Sequence, residues 1–230
     1  MITSLSNNKI FTGNVLKIIA LVCMTIDHVG EMFFPSAVWM RIAGRLAFPI
    51  FAFMISEGCR YTKNKARYLG TMASMALIMQ IIYFVFEKSL YMCIFVTFSF
   101  SVSLIYAIDY FIKKKNFTSF ILAFGIVTGI FYLTKILPKT TYFWVDYGFW
   151  GVMLPVAVYY FKGFWGKIIA FSLMLLLISI DLRGVQLYSL FAVILIMLYN
   201  GKRGRMNLKY LFYVYYPLHL AVIYVIYLIL

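Results

Sequence analysis

Long apolar runs, separated by short polar connections, fill almost the whole of this 230-residue chain and constrain its fold more than any other feature. Each run has roughly 17–23 residues, which is the length that an α-helix needs to cross the hydrocarbon core of a bilayer. Hydrophobic residues make up 64% of the sequence and charged residues only 12%. The sequence therefore predicts an all-α protein, a polytopic transmembrane helix bundle embedded in the lipid bilayer.

The lengths of the runs predict nine membrane spans, of which the seventh and eighth are short. The segment from Met1 to Asn14 is then a short tail, and residues 15–230 form a single transmembrane domain. No small-residue cleavage site follows the first run, so we interpret that run as a retained helix rather than a signal peptide. The spans lie near residues 15–34, 39–58, 67–86, 90–112, 117–137, 143–161, 166–181, 185–199 and 210–230.

The basic residues are divided unevenly between the two sides of this bundle. One side carries 15 of the 21 Lys and Arg residues and only two of the seven acidic residues. Because Lys and Arg are enriched in cytoplasmic loops, the N-terminus is predicted to be cytoplasmic and the C-terminus external. The net charge of +14 is thereby explained by topology, and no nucleic-acid partner is expected. Some of the cytoplasmic bases are also placed to attract a polyanionic ligand.

Metal and disulfide chemistry have little support in the sequence. The three cysteines are odd in number and lack the paired spacing of a metal site. The chain has only two histidines, so a three-histidine zinc site is excluded. We expect no metal.

Ionisable side chains inside the predicted spans are the candidate functional residues, because a central Asp, Lys or Arg costs about 2.5–3.5 kcal/mol even on insertion-based scales. The stretch MTIDHVGEMF brings Asp27, His28 and Glu31 into the first span. Lys17 precedes His28 by eleven residues, close to three helical turns, so the two share one helix face. A snorkelling lysine and a packing histidine would explain this pattern as well as a site would.

If the first two spans form an antiparallel hairpin, acidic residues of the first span lie at the same membrane depth as basic residues of the second. The hairpin loop centres near residue 36, so Asp27 lies at the depth of Arg45, and Glu31 at the depth of Arg41. Neighbouring residues on a helix point in different directions, so Asp27 is not expected to orient the histidine that follows it. Whether the pair is structural or functional stays open. Pro49 deprives the Arg45 carbonyl of its donor and predicts a kink beside these charges.

The last span carries the second histidine, at a depth similar to that of the first. Tyr215 and Tyr216 precede His219 by four and three residues and share its face. They lie too deep for an interfacial aromatic belt alone, which favours a lined cavity. Asp146 lies at an external helix end, where solvation of the loop and binding of an external substrate are both possible explanations.

Four blocks of sequence, in this order, resemble the TraX family. The blocks are LKIIALVCMTIDHVG, RIAGRLAFPIFAFMISEG, VDYGFWGVMLP, and YNGKRG followed by KYLFYVYYPLHL. TraX proteins are named for the conjugative-pilus protein that acetylates the pilin N-terminus. The family is similar to a wider superfamily of membrane acyltransferases, in which a first-helix histidine is the central residue. By motif position that histidine is His28, and Lys17 stands where many members have an arginine.

The resemblance implies an acetyltransferase of the bacterial cytoplasmic membrane. Its donor would be cytosolic acetyl-CoA, and its acceptor an amine or hydroxyl of a peptide N-terminus or an envelope glycan. Histidine has an ordinary pKa near neutrality and suits the general base, so His28 is the first candidate. Arg45 or His219 would stabilise the oxyanion, with Asp27 completing the catalytic set.

The remaining polar residues are assigned to ligands. Phosphates of acetyl-CoA favour basic contacts, for which the candidates are Lys17, Arg60, Lys63 and Lys202. Candidate acceptor contacts are Glu31, Arg41, Tyr216 and Asp146. The rival interpretation is a transporter, in which the same buried charges and histidines form a proton or anion pathway. A membrane scaffold without chemistry is a third possibility.

Overall fold

A computed structural model describes residues 10–205 and 208–229, except for the side chains of residues 86, 87, 209 and 210. Residues 1–9 of the predicted tail and Leu230 at the end of the last predicted span lie outside the described residues. Apolar helices dominate the described chain, as the sequence predicts. They are α1 (Gly13–Phe33), α2 (Val38–Gly44), α3 (Ala47–Tyr61), α4 (Lys65–Glu87), α5 (Ile94–Lys114), α6 (Phe117–Phe131), α7 (Gly148–Tyr160), α8 (Phe164–Leu182), α9 (Phe191–Met197) and α10 (Lys209–Ile229).

Within the described residues, six helical segments are long and apolar enough to cross a membrane, which supports the prediction of a membrane protein. Two further apolar helical segments, Gly148–Tyr160 and Gly184–Met197, are shorter. The count of nine spans and the orientation of the termini stay predictions. The six long segments are Val38–Tyr61, Lys65–Val85, Ile94–Lys114, Phe117–Lys139, Phe164–Leu182 and Leu211–Ile229.

The second predicted span is interrupted near its middle. Helix α2 ends at Gly44 and α3 begins at Ala47, with Arg45 and Leu46 in the turn between them. Pro49 has no amide hydrogen, so the carbonyl of Arg45 lacks the donor that would continue the helix. The predicted kink is therefore confirmed, and it takes the form of a break that turns the side chain of Arg45 out of a regular helix.

Two short strands replace helix at the start of the fourth and sixth predicted runs. Strand β1 (Tyr91–Met92) pairs in parallel with β2 (Trp144–Val145). Tyr147 adopts a left-handed φ of 58°, so α7 does not extend back through it and begins at Gly148. The predictions of helix over residues 91–92 and 144–145 were wrong, because two-residue strands are too short to leave an alternating pattern.

Departures from α-helical geometry mark two other runs. The end of the fifth run widens into a π-helix (Tyr132–Ile136) and then tightens into a 3₁₀-helix (Leu137–Lys139) that contains Pro138. The eighth run opens with a 3₁₀-helix (Gly184–Leu190) before α9. In a 3₁₀-helix, residues three apart are eclipsed, so their side chains share one face.

The chain divides into two compact units. The described residues up to Met54 form the first unit together with those from Leu175 onward, and residues 55–174 form the second. Each has its own apolar core: Leu16, Ala20, Ile50 and Ile196 are buried in the first, and Met79, Val102, Leu154 and Phe171 in the second. The expectation of a single domain over residues 15–230 stays a prediction.

Helices α1 and α2 of the first unit approach each other closely at two glycines. A Cβ atom added at Gly30 would lie 2.6 Å from Cβ of Met40, and one added at Gly44 would overlap the side chain of Asp27. Backbones that come this close leave no room for a methyl group on either glycine. The glycines thus fix the spacing of the hairpin that carries the charged pairs.

The substitution Gly44→Ala is expected to lower the free energy of unfolding by about 1–3 kcal/mol, because the added methyl forces the hairpin apart. Gly70→Ala is the matched control, since a Cβ at this exposed helical position meets no atom within 4 Å. Alanine there is expected to be neutral or slightly stabilising. Thermal unfolding of the purified protein in detergent measures both, and equal stability of the two variants would contradict the close packing.

Candidate functional site

The start of α1 is held in place by the segment that follows α9. The amide of Phe11 donates to the carbonyl of Leu198 over 3.1 Å, and the amides of Gly13 and Asn14 donate to the carbonyls of Lys202 and Arg203 over 2.8 and 2.9 Å. These bonds satisfy amides that a helix start leaves without intrahelical partners. The YNGKRG block therefore fixes the position of the helix that carries His28.

The two histidines of the chain are in direct contact. His28 on α1 and His219 on α10 approach with 3.0 Å between Nδ1 of the first and Nε2 of the second. Their ring centroids are 5.0 Å apart. Tyr215 stacks on the ring of His219 at 5.2 Å, and Tyr216 meets it edge-on at 5.6 Å. The similar depth of the two histidines was predicted from the sequence, and the structure shows that their rings are in contact.

Hydrogen bonding assigns the tautomers of this histidine pair. Nδ1 of His219 faces the carbonyl oxygen of Tyr215 at 2.9 Å, so this nitrogen must carry a proton and donate it. In the neutral ring, Nε2 of His219 is then an acceptor, and Nδ1 of His28 must be the donor. Nε2 of His28 is left unprotonated. Among the described residues it has no hydrogen-bond partner, so its lone pair is free to take a proton.

A second contact ties the same two helices together. The hydroxyl of Thr25 donates to the carbonyl of Leu21 over 2.9 Å and lies 2.6 Å from the hydroxyl of Tyr215. Because the Thr25 proton is used, Tyr215 is the donor in the second bond. The tyrosine that stacks on His219 is therefore anchored to α1 by its own hydroxyl. Both histidines are held by the same pair of helices.

The charged residues of the first hairpin form one cluster. Arg45 Nη2 lies 3.2 Å from Oδ2 of Asp27, and Arg41 Nη1 lies 2.9 Å from Oε2 of Glu31. Both pairs predicted from depth are thus confirmed as contacts. Arg41 also reaches Oδ1 of Asp27 at 3.0 Å, so the aspartate is shared by two guanidinium groups. The break after α2 lets Arg45 reach back to α1.

Gln186 completes the cluster and was missed by sequence reasoning. Its side-chain oxygen accepts from Nη1 of Arg45 over 3.3 Å, and the residue is only 2% exposed. It lies on the 3₁₀-helix of the first unit. A single neutral residue in a short apolar run carries no charge or periodicity signal, although an isolated glutamine among apolar residues was the one available hint.

The predicted acetyl-CoA contacts of the first unit lie near the cytoplasmic end assigned to α1. Lys17 is half-buried, and its ammonium lies 5.2 Å above the ring of Phe212 on α10. Lys202 is exposed in the segment that holds the start of α1. Lys17 and His28 lie on a single continuous helix, as the eleven-residue spacing requires.

The other predicted contacts belong to the second unit. Arg60 donates to the carbonyl of Tyr159 over 2.7 Å, and Lys63 is exposed. Glu57 is buried and lies 2.6 Å from Nζ of Lys167, whereas Nε of Arg60 is 3.9 Å away. Glu57 therefore belongs to a buried ion pair with Lys167 on α8, a residue 110 positions away that the local sequence does not indicate.

Asp146 also belongs to the second unit, directly after β2. Its amide donates to the carbonyl of Met92 over 3.0 Å, and its carbonyl accepts from the hydroxyl of Thr97 over 2.6 Å. These backbone contacts are structural, and its assignment to a substrate stays a prediction. Within residues 10–205 and 208–229, no group of three or more His, Cys, Asp or Glu residues is arranged to hold a metal ion.

Comparison with known proteins adds a family and two relatives. The family model described as TraX protein matches residues 12–227. The probable fimbrial assembly protein FimC, serogroup H1, of Dichelobacter nodosus is 32% identical over 83 residues, which cover 34% of each chain. The uncharacterized protein RP591 of Rickettsia prowazekii (strain Madrid E) is 40% identical over 63 residues, 27% of this chain and 25% of the relative. The matches therefore span only about a third or less of either relative. No solved structure matches significantly.

Proposed function

Because the chain belongs to the TraX family, we propose that it is a membrane acetyltransferase that moves an acetyl group from cytosolic acetyl-CoA to an amine or hydroxyl acceptor. The acceptor is a peptide N-terminus or an envelope glycan, and the membrane is the bacterial cytoplasmic membrane. One relative is named as a probable fimbrial assembly protein, which agrees with a surface peptide as acceptor.

The chain of contacts from the Tyr215 carbonyl through His219 to Nδ1 of His28, which makes Nε2 of His28 an acceptor, supports this proposal most directly. A general base needs an unprotonated nitrogen with a fixed orientation, and a positioned base contributes about 10²–10⁴-fold to a rate. The carbonyl of Tyr215 fixes the tautomer of His219, which in turn fixes that of His28. Two helices thus present one imidazole nitrogen in a defined protonation state.

The proposed step balances around this nitrogen. Nε2 of His28 takes a proton from the acceptor amine or hydroxyl as the acceptor atom bonds to the thioester carbonyl carbon. The carbon–sulfur bond then breaks, and the proton on Nε2 passes to the departing sulfur. The products are the acetylated acceptor and free coenzyme A thiol, and His28 returns to its starting tautomer.

The neighbouring polar residues are better suited to positioning than to oxyanion stabilisation. Both nitrogens of His219 are engaged, one with a carbonyl and one with His28. The guanidinium of Arg45 donates to Asp27, Gln186 and the carbonyl of Arg41. We therefore assign His219 to orienting the base and the Asp27–Arg45 pair to holding α1 against the break after α2.

Acetyl-CoA is proposed to contact the basic residues of the cytoplasmic side through its phosphates. Lys17 and Lys202 of the first unit have no acidic partner among the described residues. Lys63 of the second unit is exposed, whereas Arg60 is already engaged by a carbonyl and lies near Glu57. Lys17, half-buried on the helix of His28, is the contact with the best-defined position.

Release of coenzyme A thiol by the purified protein in nanodiscs tests the function. We expect thiol release from acetyl-CoA that rises when an amine-bearing peptide is added. Mass spectrometry of the peptide should show one acetyl group on its N-terminus. Indifference to acetyl-CoA, together with proton or anion flux in liposomes, would overturn the enzyme in favour of a transporter.

A further inference from the structure

Two buried side-chain polar groups of the 3₁₀-helix Gly184–Leu190 have no hydrogen-bond partner within the described part of the chain. They are Nε2 of Gln186 and the hydroxyl of Ser189. Gln186 is 2% exposed and Ser189 is fully buried. Leaving a buried donor unsatisfied costs about 1–3 kcal/mol, so two such groups on one short helix call for a ligand that satisfies them.

The orientation of the Gln186 amide is fixed by its neighbour. Arginine has donors and no acceptor, so the atom that faces Nη1 of Arg45 at 3.3 Å must be the amide oxygen. The unsatisfied atom is therefore the amide nitrogen, which offers only donors. Ser189 follows three residues later, and residues three apart share a face in a 3₁₀-helix. Both unsatisfied groups therefore lie on the same face of this element.

Backbone strain at the start of the same element is a separate observation. Arg183 has φ 56° and ψ −163°, a region that is essentially restricted to glycine. Strain of this kind persists where surrounding structure imposes it, and it clusters at ligand clamps and switch regions. The strained entry and the two unsatisfied donors therefore occur on the same short element.

We propose that Gln186 and Ser189 bind a carbonyl oxygen of a peptide acceptor, an inference that rests on the acetyltransferase function proposed above. The amide oxygen of Gln186 is taken by Arg45, so this residue can only donate to a ligand. A main-chain carbonyl is an acceptor without a proton and complements the two unsatisfied donors. A sugar hydroxyl also carries a proton of its own, and of the two groups only the Ser189 oxygen could accept it, so a carbonyl is the ligand that suits both groups.

Two small amines separate carbonyl recognition from amine recognition. Alanine amide and isopropylamine differ by the exchange of a carboxamide for a methyl group on the carbon that bears the amine. The full chain in nanodiscs is titrated with each compound by calorimetry. We expect wild type to bind alanine amide about tenfold more tightly than isopropylamine, in line with the loss of one or two buried hydrogen bonds.

Three variants test the residues themselves. Gln186→Glu keeps an oxygen toward Arg45 but replaces the donor nitrogen with an acceptor, so alanine amide should bind at least tenfold more weakly. Ser189→Ala removes a hydroxyl that has no partner among the described residues, so it should fold normally and bind alanine amide about threefold more weakly. Ser99→Ala is the control, because that buried hydroxyl already donates to the Phe95 carbonyl over 2.7 Å, and binding should be unchanged.

The outcomes distinguish this site from the function on which it rests. If Gln186→Glu and Ser189→Ala bind alanine amide as wild type does, or if wild type does not prefer it over isopropylamine, the carbonyl site is overturned. Binding of methyl β-glucoside that depends on Gln186 would assign the site to a glycan and overturn a peptide. Binding of alanine amide that depends on Gln186, without any thiol release from acetyl-CoA, would support the site and reject acetyl transfer.

Discussion

His28→Asn is expected to lower the rate of acetyl transfer by about 10³-fold while leaving the fold intact. A positioned general base contributes about 10²–10⁴-fold, and asparagine has no nitrogen that can accept a proton at neutral pH. The asparagine amide reaches the position of Nδ1 and can donate to His219 as the imidazole does. The substitution therefore removes the free lone pair of Nε2 and keeps the contact between α1 and α10.

Substitution of the second histidine gives the matched comparison. In His219→Gln, the amide oxygen reaches the position of Nε2 and still accepts from Nδ1 of His28, so we expect a loss of only about tenfold. His219→Leu removes the acceptor, frees the tautomer of His28, and is expected to lose about 10²-fold. Initial rates of thiol release at saturating acetyl-CoA measure all three variants, with thermal unfolding as the check on folding.

Two outcomes would contradict the assigned roles. Activity of His28→Asn within threefold of wild type would remove His28 as the base. Equal losses in His219→Gln and His219→Leu would show that the hydrogen bond to His28 does not matter and that His219 acts in another way. A positioning role predicts the graded order, because only the glutamine preserves the acceptor.

The hairpin of α1 and α2 shows how far sequence reasoning reaches at this site. Counting residues from the predicted loop placed Asp27 opposite Arg45 and Glu31 opposite Arg41, because helical rise per residue is constant. The same count gave similar depths to His28 and His219. It could not show that the two rings touch, because contact also requires that α1 and α10 are neighbours and that each helix turns its histidine toward the other. Neither property can be read from residue counts.

Gln186 and Glu57 make contacts that could not be predicted from the sequence. The partner of Gln186 lies 141 residues away in sequence, and Lys167, the nearer partner of Glu57 in space, lies 110 residues away. Contacts between residues so far apart in sequence produce no local sequence pattern. A glutamine also carries no charge that could be paired with an opposite charge at the same depth. The short strands Tyr91–Met92 and Trp144–Val145 were hidden for a related reason, because their pairing is non-local. Helix positions follow from local composition, whereas these contacts follow from packing.

Asp27→Leu is expected to destabilise the protein by about 3–5 kcal/mol, because it leaves the guanidinium groups of Arg41 and Arg45 without their shared carboxylate. The Asp27 and Arg45 side chains are each only 16% exposed, so water offers little compensation. Arg45→Met should cost less, since Asp27 keeps Arg41 as a partner at 3.0 Å. This asymmetry is a direct consequence of the shared aspartate.

The double variant completes a double-mutant cycle, which measures the interaction between Asp27 and Arg45 separately from the effect of each single substitution. Asp27→Leu with Arg45→Met should be more stable than Asp27→Leu alone, because an unpaired buried charge is removed. Glu31→Gln is the matched control on the same hairpin, since the Glu31 side chain is 60% exposed and its pair with Arg41 should contribute less than about 1 kcal/mol. Unfolding by SDS titration measures each free energy. Additive effects of the two substitutions would show that Asp27 and Arg45 do not act as a pair.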